Sequence, residues 1–173
     1  MTVDGVCDHT AGIPDEDLHR HYAELLDTAG AILYGRITYQ LMQYWQTLIG
    51  KPSGEKAMDE FAVSIDRIPK IVFSRTLTNL DWPTAKLANH DPATEVAALK
   101  QQPGKDILVG SPSLIISLLN LQLIDEFQLC IHPVAGTGQL LFKEIKPGIN
   151  FKLNHTKSFD SGAVILYYEP VKK

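Results

Sequence analysis

Residues 31–39 have the sequence Ala-Ile-Leu-Tyr-Gly-Arg-Ile-Thr-Tyr, an apolar run that stops at Gly35 and passes directly into a helical pattern. An apolar run without polar alternation predicts a short strand that is covered on both faces, as in the middle of a parallel sheet. Glycine lets the backbone approach a ligand closely, and the free amides of the next helical turn favour an anion. This strand-to-helix turn therefore predicts an α/β fold that binds a phosphorylated group.

Two further apolar strands end in comparable turns. The strand at 70–73 precedes Ser74-Arg75, and the strand at 106–109 precedes Gly110-Ser111 and a helix that Pro112 opens. Since ligands bind at the carboxyl ends of the strands in open α/β sheets, we expect all three turns to face one ligand. The residues predicted to contact it are Gly35, Arg36, Thr38, Ser74, Arg75, Gly110, Ser111 and Ser113.

The two arginines in these turns indicate the kind of ligand. A guanidinium matches phosphate oxygens with a fixed fork of donors, so two of them suit a ligand with several phosphates. This favours NADP over NAD, because a 2′-phosphate needs a cationic site of its own. No G-x-G-x-x-G follows any strand, so the Rossmann fingerprint is absent. Taken singly, each glycine is equally compatible with a plain turn, and each arginine with an ordinary surface charge.

The rest of the chain alternates between helices and strands and then changes character. Helices are predicted at 14–29, 36–44, 54–65, 92–101 and 112–121, with a further short strand at 85–87. After Asp125 apolar and polar residues alternate near 127–131 and 151–153, and a last strand covers 163–168, which is typical of antiparallel strands. We expect one α/β domain over residues 1–173, with a mixed, mostly parallel sheet, antiparallel C-terminal strands and helices on both faces.

Composition excludes several classes of partner. The net charge is −4, and the only adjacent pair of basic residues is Lys172-Lys173, so a nucleic-acid footprint is not expected. The charge-free stretch at 107–124 contains glycine, proline and amide residues, which indicates a strand, a turn and a helix instead of a membrane span. Cys7 and Cys130 are isolated, which suits a reducing compartment. With no apolar leader in the first fifteen residues, a cytoplasmic protein with a small-molecule substrate is expected.

A series of short motifs along the chain resembles the dihydrofolate-reductase-like superfamily, in particular the branch that contains the reductase domain of riboflavin biosynthesis. The matching pieces, in the order of that family, are Thr2-Val3-Asp4-Gly5, residues 33–39, residues 72–75, Val109-Gly110-Ser111 with Leu114, residues 123–126, His132-Pro133-Val134, Gly136, Gly138 and Leu141-Phe142. The resemblance covers essentially the whole chain. It implies a three-layer fold around an eight-stranded mixed sheet, NADPH held by the three turns, and often a homodimer.

By the same resemblance the chain is an NADPH-dependent reductase that transfers hydride to a small C=N or C=O substrate, as in 5-amino-6-(5-phosphoribosylamino)uracil reductase or dihydrofolate reductase. Candidate proton donors are Asp17 and His19 on the first helix, and Asp4 in the motif on the substrate side. The competing interpretations are acids that serve the helix dipole and an ordinary Asp-Gly turn. No metal site is expected, because His19 and His21 cannot share a helix face. The alternative function is a non-catalytic protein that keeps the fold to bind a nucleotide or to dimerise.

The chain departs from the family pattern at two places. Where the family usually has two glycines in the third turn, this chain has Gly110-Ser111, whose extra Cβ narrows the site or whose hydroxyl adds a hydrogen bond. Met1 also falls where the first strand of the family ends. We therefore expect an upstream start, a truncated numbering, or replacement of that strand by another segment or chain.

Overall fold

The computed structural model describes residues 1–8, 10–12 and 14–171. Within them the chain divides into two compact units, Glu16–Leu114 (the parallel unit) and Met1–Asp15 with the chain from Ile115 onward (the antiparallel unit). The elements in chain order are α1 (Glu16–Thr28), β1 (Ala31–Gly35), α2 (Arg36–Gly50), α3 (Lys56–Arg67), β2 (Lys70–Phe73), β3 (Ala85–Leu87), α4 (Pro92–Lys100), β4 (Ile107–Val109), α5 (Pro112–Asn120), β5 (Phe127–Ile131), β6 (Phe151–Ser158) and β7 (Val164–Pro170).

The parallel unit is built on a four-stranded sheet in the order β3-β2-β1-β4, and all three of its strand pairs are parallel. Its central strand β1 is the apolar run of the sequence, with Ile32, Leu33 and Tyr34 buried. In the register of the sheet Gly35 lies opposite Phe73, and Leu33 lies opposite Val109. The carboxyl ends of β1, β2 and β4 therefore lie on one edge, as the sequence predicts.

Helices cover this sheet through amphipathic faces. Helix α1 buries Leu18, Ala23 and Leu26, which follow the helical period. Helix α2 is longer than predicted and ends at Gly50 instead of Tyr44. The extra turns are held by packing, because the Trp45 ring meets the Phe61 ring of α3 edge-on at 4.5 Å between centroids.

The antiparallel unit contains a three-stranded sheet in the order β5-β7-β6. Its core cluster contains Ile116, Leu119, Phe127 and Leu141. The first residues of the chain join this unit, since Thr2 forms a parallel bridge with His132, and Val3 donates its amide to the Val134 carbonyl at 2.9 Å. These contacts do not test the three alternatives given above for the first strand of the family, which stay predictions.

The predicted α/β fold class and the strand directions are confirmed in the described residues. Their strands form two separate ladders, because no described strand pairs with both β4 and β5. A single domain over residues 1–173 stays a prediction. Among the described residues, no helix is both long and apolar enough to cross a membrane.

A buried lysine closes the amino-terminal end of β2. Lys70 is fully buried, and its Nζ donates to the carbonyls of Asp66 and Ile68 at 3.2 and 2.9 Å and to the Thr84 hydroxyl at 2.8 Å. The same ammonium lies 4.0 Å from the centre of the Trp82 ring. Lys70 thereby satisfies carbonyls at the end of α3, which have no partner within the helix.

Burial lowers the pKa of Lys70 from 10.5 to about 8, while the nearby Asp66 opposes the shift. Because the unfolded chain binds the extra proton between these values, the free energy of unfolding rises with pH from about 8 to 10.5, by roughly 3 kcal/mol. We predict this rise in urea denaturation of the wild-type protein relative to Lys70→Met. Parallel pH profiles for the two proteins would contradict the buried ammonium.

Candidate functional site

The first and third predicted turns are joined by one hydrogen bond. The Gly35 amide donates to the Ser111 hydroxyl at 2.7 Å, across 76 residues of sequence. Ser111 is only 2% exposed and Gly35 is half-buried, so the bond is partly shielded from water. The structure thus brings the loops after β1 and β4 together, and the hydroxyl of Ser111 is committed to the Gly35 backbone.

Gly35 has no structural need to be glycine within the parallel unit. Its backbone angles, φ −81° and ψ 166°, are ordinary extended values. A Cβ there would lie 3.6 Å from the Ser111 hydroxyl, an ordinary contact distance. Neither strain nor packing therefore explains the glycine, whereas the open space that it leaves beside the helix start suits the close approach of a ligand.

The start of α2 has the character of an anion site. Gly35 is its N-cap residue and gives no side-chain cap, so no described side chain occupies the first amides of the helix from that position. Arg36 is exposed beside them, and its guanidinium donates to the Gln40 side chain at 3.1 Å. Thr38 is half-buried in the same turn. Free amides, the positive end of the helix dipole and a guanidinium together favour a phosphate.

The second turn presents an arginine on a hydrogen-bonded loop. The Ser74 hydroxyl accepts hydrogen bonds from the amides of Thr76 and Leu77 at 3.1 and 2.9 Å. Ser74 therefore shapes the turn with its oxygen, and Arg75 extends from it as an exposed residue. Because Phe73 is opposite Gly35 in the sheet, the turn follows the strand that neighbours β1.

Gly110 has a packing role in the third turn. A Cβ on Gly110 would lie 2.5 Å from Cε1 of Tyr34, a distance that real Cβ atoms do not adopt. The glycine is therefore required by the buried Tyr34 ring, which sequence reasoning did not foresee. Ser113 lies exposed in the first turn of α5.

Two of the predicted proton donors lie on α1 in contacts that favour a structural role. Asp17 is exposed and forms an ion pair with Arg20, one helical turn later. The His19 ring packs edge-on against Trp45 and Phe61, with centroids 5.8 and 6.1 Å away.

Asp4, the third candidate, belongs to the antiparallel unit. Its carboxylate accepts from the Thr2 hydroxyl at 2.5 Å and from the Gly136 amide at 3.2 Å. The hydrogen bond from the Thr2 hydroxyl is the main cause that lowers the pKa of Asp4 below its usual value, and the hydrogen bond from the Gly136 amide adds to it. An exposed carboxyl that stays ionised near neutral pH is a poor proton donor, and these contacts tie the first turn of the chain to the loop at Gly136.

Sequence reasoning missed an apolar face on α2. Ile37, Leu41 and Tyr44 are 65%, 37% and 54% exposed and recur at the helical spacing of four and three residues. We call these three residues the α2 apolar face. The spacing was visible in the sequence, but only the structure shows that the opposite face of α2, with the buried Tyr39, packs into the core.

The structure also contains an open groove away from the three turns. This groove, of about 910 Å³, lies between α1 and α3 and is lined by residues that include Arg20, Glu24, Asp59 and Arg67. Its lining does not include Gly35 or Gly110, and it carries charges of both signs. The three turns form an open edge of the sheet instead.

The fold defines a dihydrofolate-reductase-like α/β protein, whose three predicted turns lie at the carboxyl edge of its parallel sheet. Comparison with known proteins makes this class more specific. The model of the RibD C-terminal domain family matches residues 1–165, and the chain belongs to this family. The uncharacterized protein YyaP of Bacillus subtilis (strain 168) is 38% identical over 175 residues, which cover 97% of this chain and 90% of YyaP. The family supports a reductase-type function.

Solved structures agree on the fold. A putative riboflavin biosynthesis protein from Shewanella sp. PV-4 matches 99% of this chain and 95% of its own with a TM-score of 0.69 at 16% identity. A pyrimidine reductase-like protein from Corynebacterium diphtheriae matches 99% and 89% with a TM-score of 0.63 at 15% identity. RibD from Acinetobacter baumannii matches with a TM-score of 0.65 at 13% identity, and there the match covers 99% of this chain but 56% of RibD.

The contact between Gly110 and Tyr34 gives a prediction for stability. Gly110→Ala forces a methyl group into the Tyr34 ring, and we expect it to lower the free energy of unfolding by roughly 1–3 kcal/mol in chemical denaturation. Gly104→Ala is the matched control, because a Cβ at Gly104 meets nothing within 4 Å. Equal stability of the two variants would contradict the packing role of Gly110.

Proposed function

We propose that this protein is an NADPH-dependent reductase that binds its cofactor at the carboxyl edge of the parallel sheet. The observation that carries the proposal is the uncapped start of α2, which the hydrogen bond from Gly35 to Ser111 joins to the loop after β4. The reductase-type family supports the reaction class, and the chemistry of the turns supports a phosphorylated cofactor.

In this proposal Arg36 and Arg75 bind different phosphate groups of NADPH. The first amides of α2 and Arg36 hold one phosphate of the pyrophosphate, and Thr38 adds a hydroxyl in the same turn. Arg75, on the separate loop after β2, holds the 2′-phosphate, because that group needs a cation at some distance from the pyrophosphate. Gly110 and Ser113, in the third turn, are the remaining residues of the proposed cofactor site. When bound, NADPH supplies the hydride, and the protein supplies position and electrostatics.

A small C=N or C=O compound with a flat ring is the proposed substrate. Two structural neighbours, a putative riboflavin biosynthesis protein and a pyrimidine reductase-like protein, favour a pyrimidine such as 5-amino-6-(5-phosphoribosylamino)uracil. The α2 apolar face begins in the same turn as Arg36 and offers a surface on which an uncharged ring packs. A cytoplasmic location and a homodimer stay predictions.

Binding of the two nicotinamide cofactors tests this proposal. The measurement is the dissociation constant from fluorescence titration of the purified protein with NADPH and, separately, with NADH. We expect micromolar binding of NADPH and at least about tenfold weaker binding of NADH, the effect of one charge-assisted contact. Arg75→Ala is expected to weaken the binding of NADPH and to leave the binding of NADH unchanged. Arg36→Ala is expected to weaken the binding of both cofactors.

The matched control is Arg67→Ala, which removes an exposed arginine of α3 that lines the groove between α1 and α3. It should leave both dissociation constants unchanged. Absence of NADPH binding at micromolar concentrations, or an equal loss in all three arginine variants, would contradict the proposed site.

A non-catalytic protein that binds a nucleotide or dimerises is the second candidate. It is favoured by the contacts of the proposed proton donors, because Asp17 is ion-paired, His19 is packed among aromatic rings and Asp4 is held ionised. NADPH oxidation with a pyrimidine substrate distinguishes the two candidates. Specific binding of NADPH without any turnover would favour the second.

A further inference from the structure

We infer that Ser111 is the positioning residue of the cofactor site, and that its hydroxyl takes the place of a backbone acceptor at the end of β4. This inference rests on the proposed function, since it concerns how the start of α2 is held for the cofactor. It assigns to Ser111 a role different from the direct contact that the sequence predicts.

The ladder between β1 and β4 leads directly to Ser111. The last backbone bond between these segments is donated by the Gly110 amide to the Leu33 carbonyl at 3.1 Å. Beyond it the Gly35 amide donates to the Ser111 hydroxyl at 2.7 Å. A side-chain oxygen thus forms the next rung and leaves the backbone of the third turn free to enter α5, whose first residue is Pro112.

The neighbouring residues lock this rung in place. Gly110, which precedes Ser111, is packed against the ring of Tyr34, which precedes Gly35. Two consecutive residues of one turn are therefore held against two consecutive residues of the other. Tyr34 and Ser111 are each 2% exposed, which limits the access of water to the bond between the turns.

This bond fixes the N-cap residue of α2. Gly35 has no side chain with which to cap the helix, and the position of its backbone sets the direction of the amides that follow. When the acceptor is lost, the amide of Gly35 loses its partner and the turn can relax. A buried hydroxyl that is bonded to Gly35 acts on the cofactor through this turn and not by contact.

Four variants at position 111 and a control test the inference. Ser111→Ala removes the acceptor, Ser111→Gly restores the pair of glycines usual in the family, and Ser111→Thr keeps the hydroxyl. Ser111→Cys replaces Ser111→Ala if that variant does not fold, since sulfur is a weak acceptor of similar size. Ser117→Ala, which removes an exposed hydroxyl of α5, is the control.

Two readouts are measured on each variant, the dissociation constant of NADPH and the hydrogen-exchange rate of the Gly35 amide. We expect Ser111→Ala and Ser111→Gly to raise the dissociation constant about tenfold, the value of one net hydrogen bond, and to accelerate exchange at Gly35 by a similar factor. Ser111→Thr should keep the dissociation constant and the exchange rate near those of the wild type, and Ser117→Ala should change neither value.

Wild-type affinity for NADPH in Ser111→Ala, with faster exchange at Gly35, would overturn the inference while leaving the proposed function intact. An equal loss of affinity in Ser111→Thr and Ser111→Ala would also overturn it, because the hydroxyl would then be irrelevant. If the wild-type protein itself fails to bind NADPH, the proposed function fails first, and the positioning role fails with it.

Discussion

The hydrogen bond from the Gly35 amide to the Ser111 hydroxyl is the constraint on which the proposed site depends. It joins the ends of β1 and β4 at the point where both strands pass into helices. The packing of Tyr34 on Gly110 directs the two turns to the same place. These contacts are made within the protein and need no ligand.

The two edges of the parallel sheet differ in how their polar groups are satisfied. At the amino-terminal edge Lys70 is buried, and it satisfies carbonyls at the end of α3 from inside the protein. At the carboxyl-terminal edge the first amides of α2 receive no side-chain cap, and Arg36 and Arg75 are exposed. One edge therefore has its polar groups satisfied within the protein, while the other leaves donors and positive charge for a ligand.

The local structure of the parallel unit could be predicted from sequence, and its long-range contacts could not. Strand β2 was predicted at its observed bounds, because the apolar residues 71–73 lie in a short segment between Pro69 and Ser74. The break between the two sheets was missed, because alternation of apolar residues indicates strand direction but not which strands pair. The role of Ser111 was also out of reach, since its partner lies 76 residues away and a serine beside glycine is equally suited to contact a ligand.

The most direct test of the account is an amide NMR map of NADPH binding to the full chain. Saturable shifts are predicted for the amides of residues 35–38, 74–76, 110, 111 and 113, whereas the amides of Lys56 and Asp59, beside the groove between α1 and α3, do not shift. Shifts confined to that groove, with the amides of residues 35–38 unaffected, would contradict it.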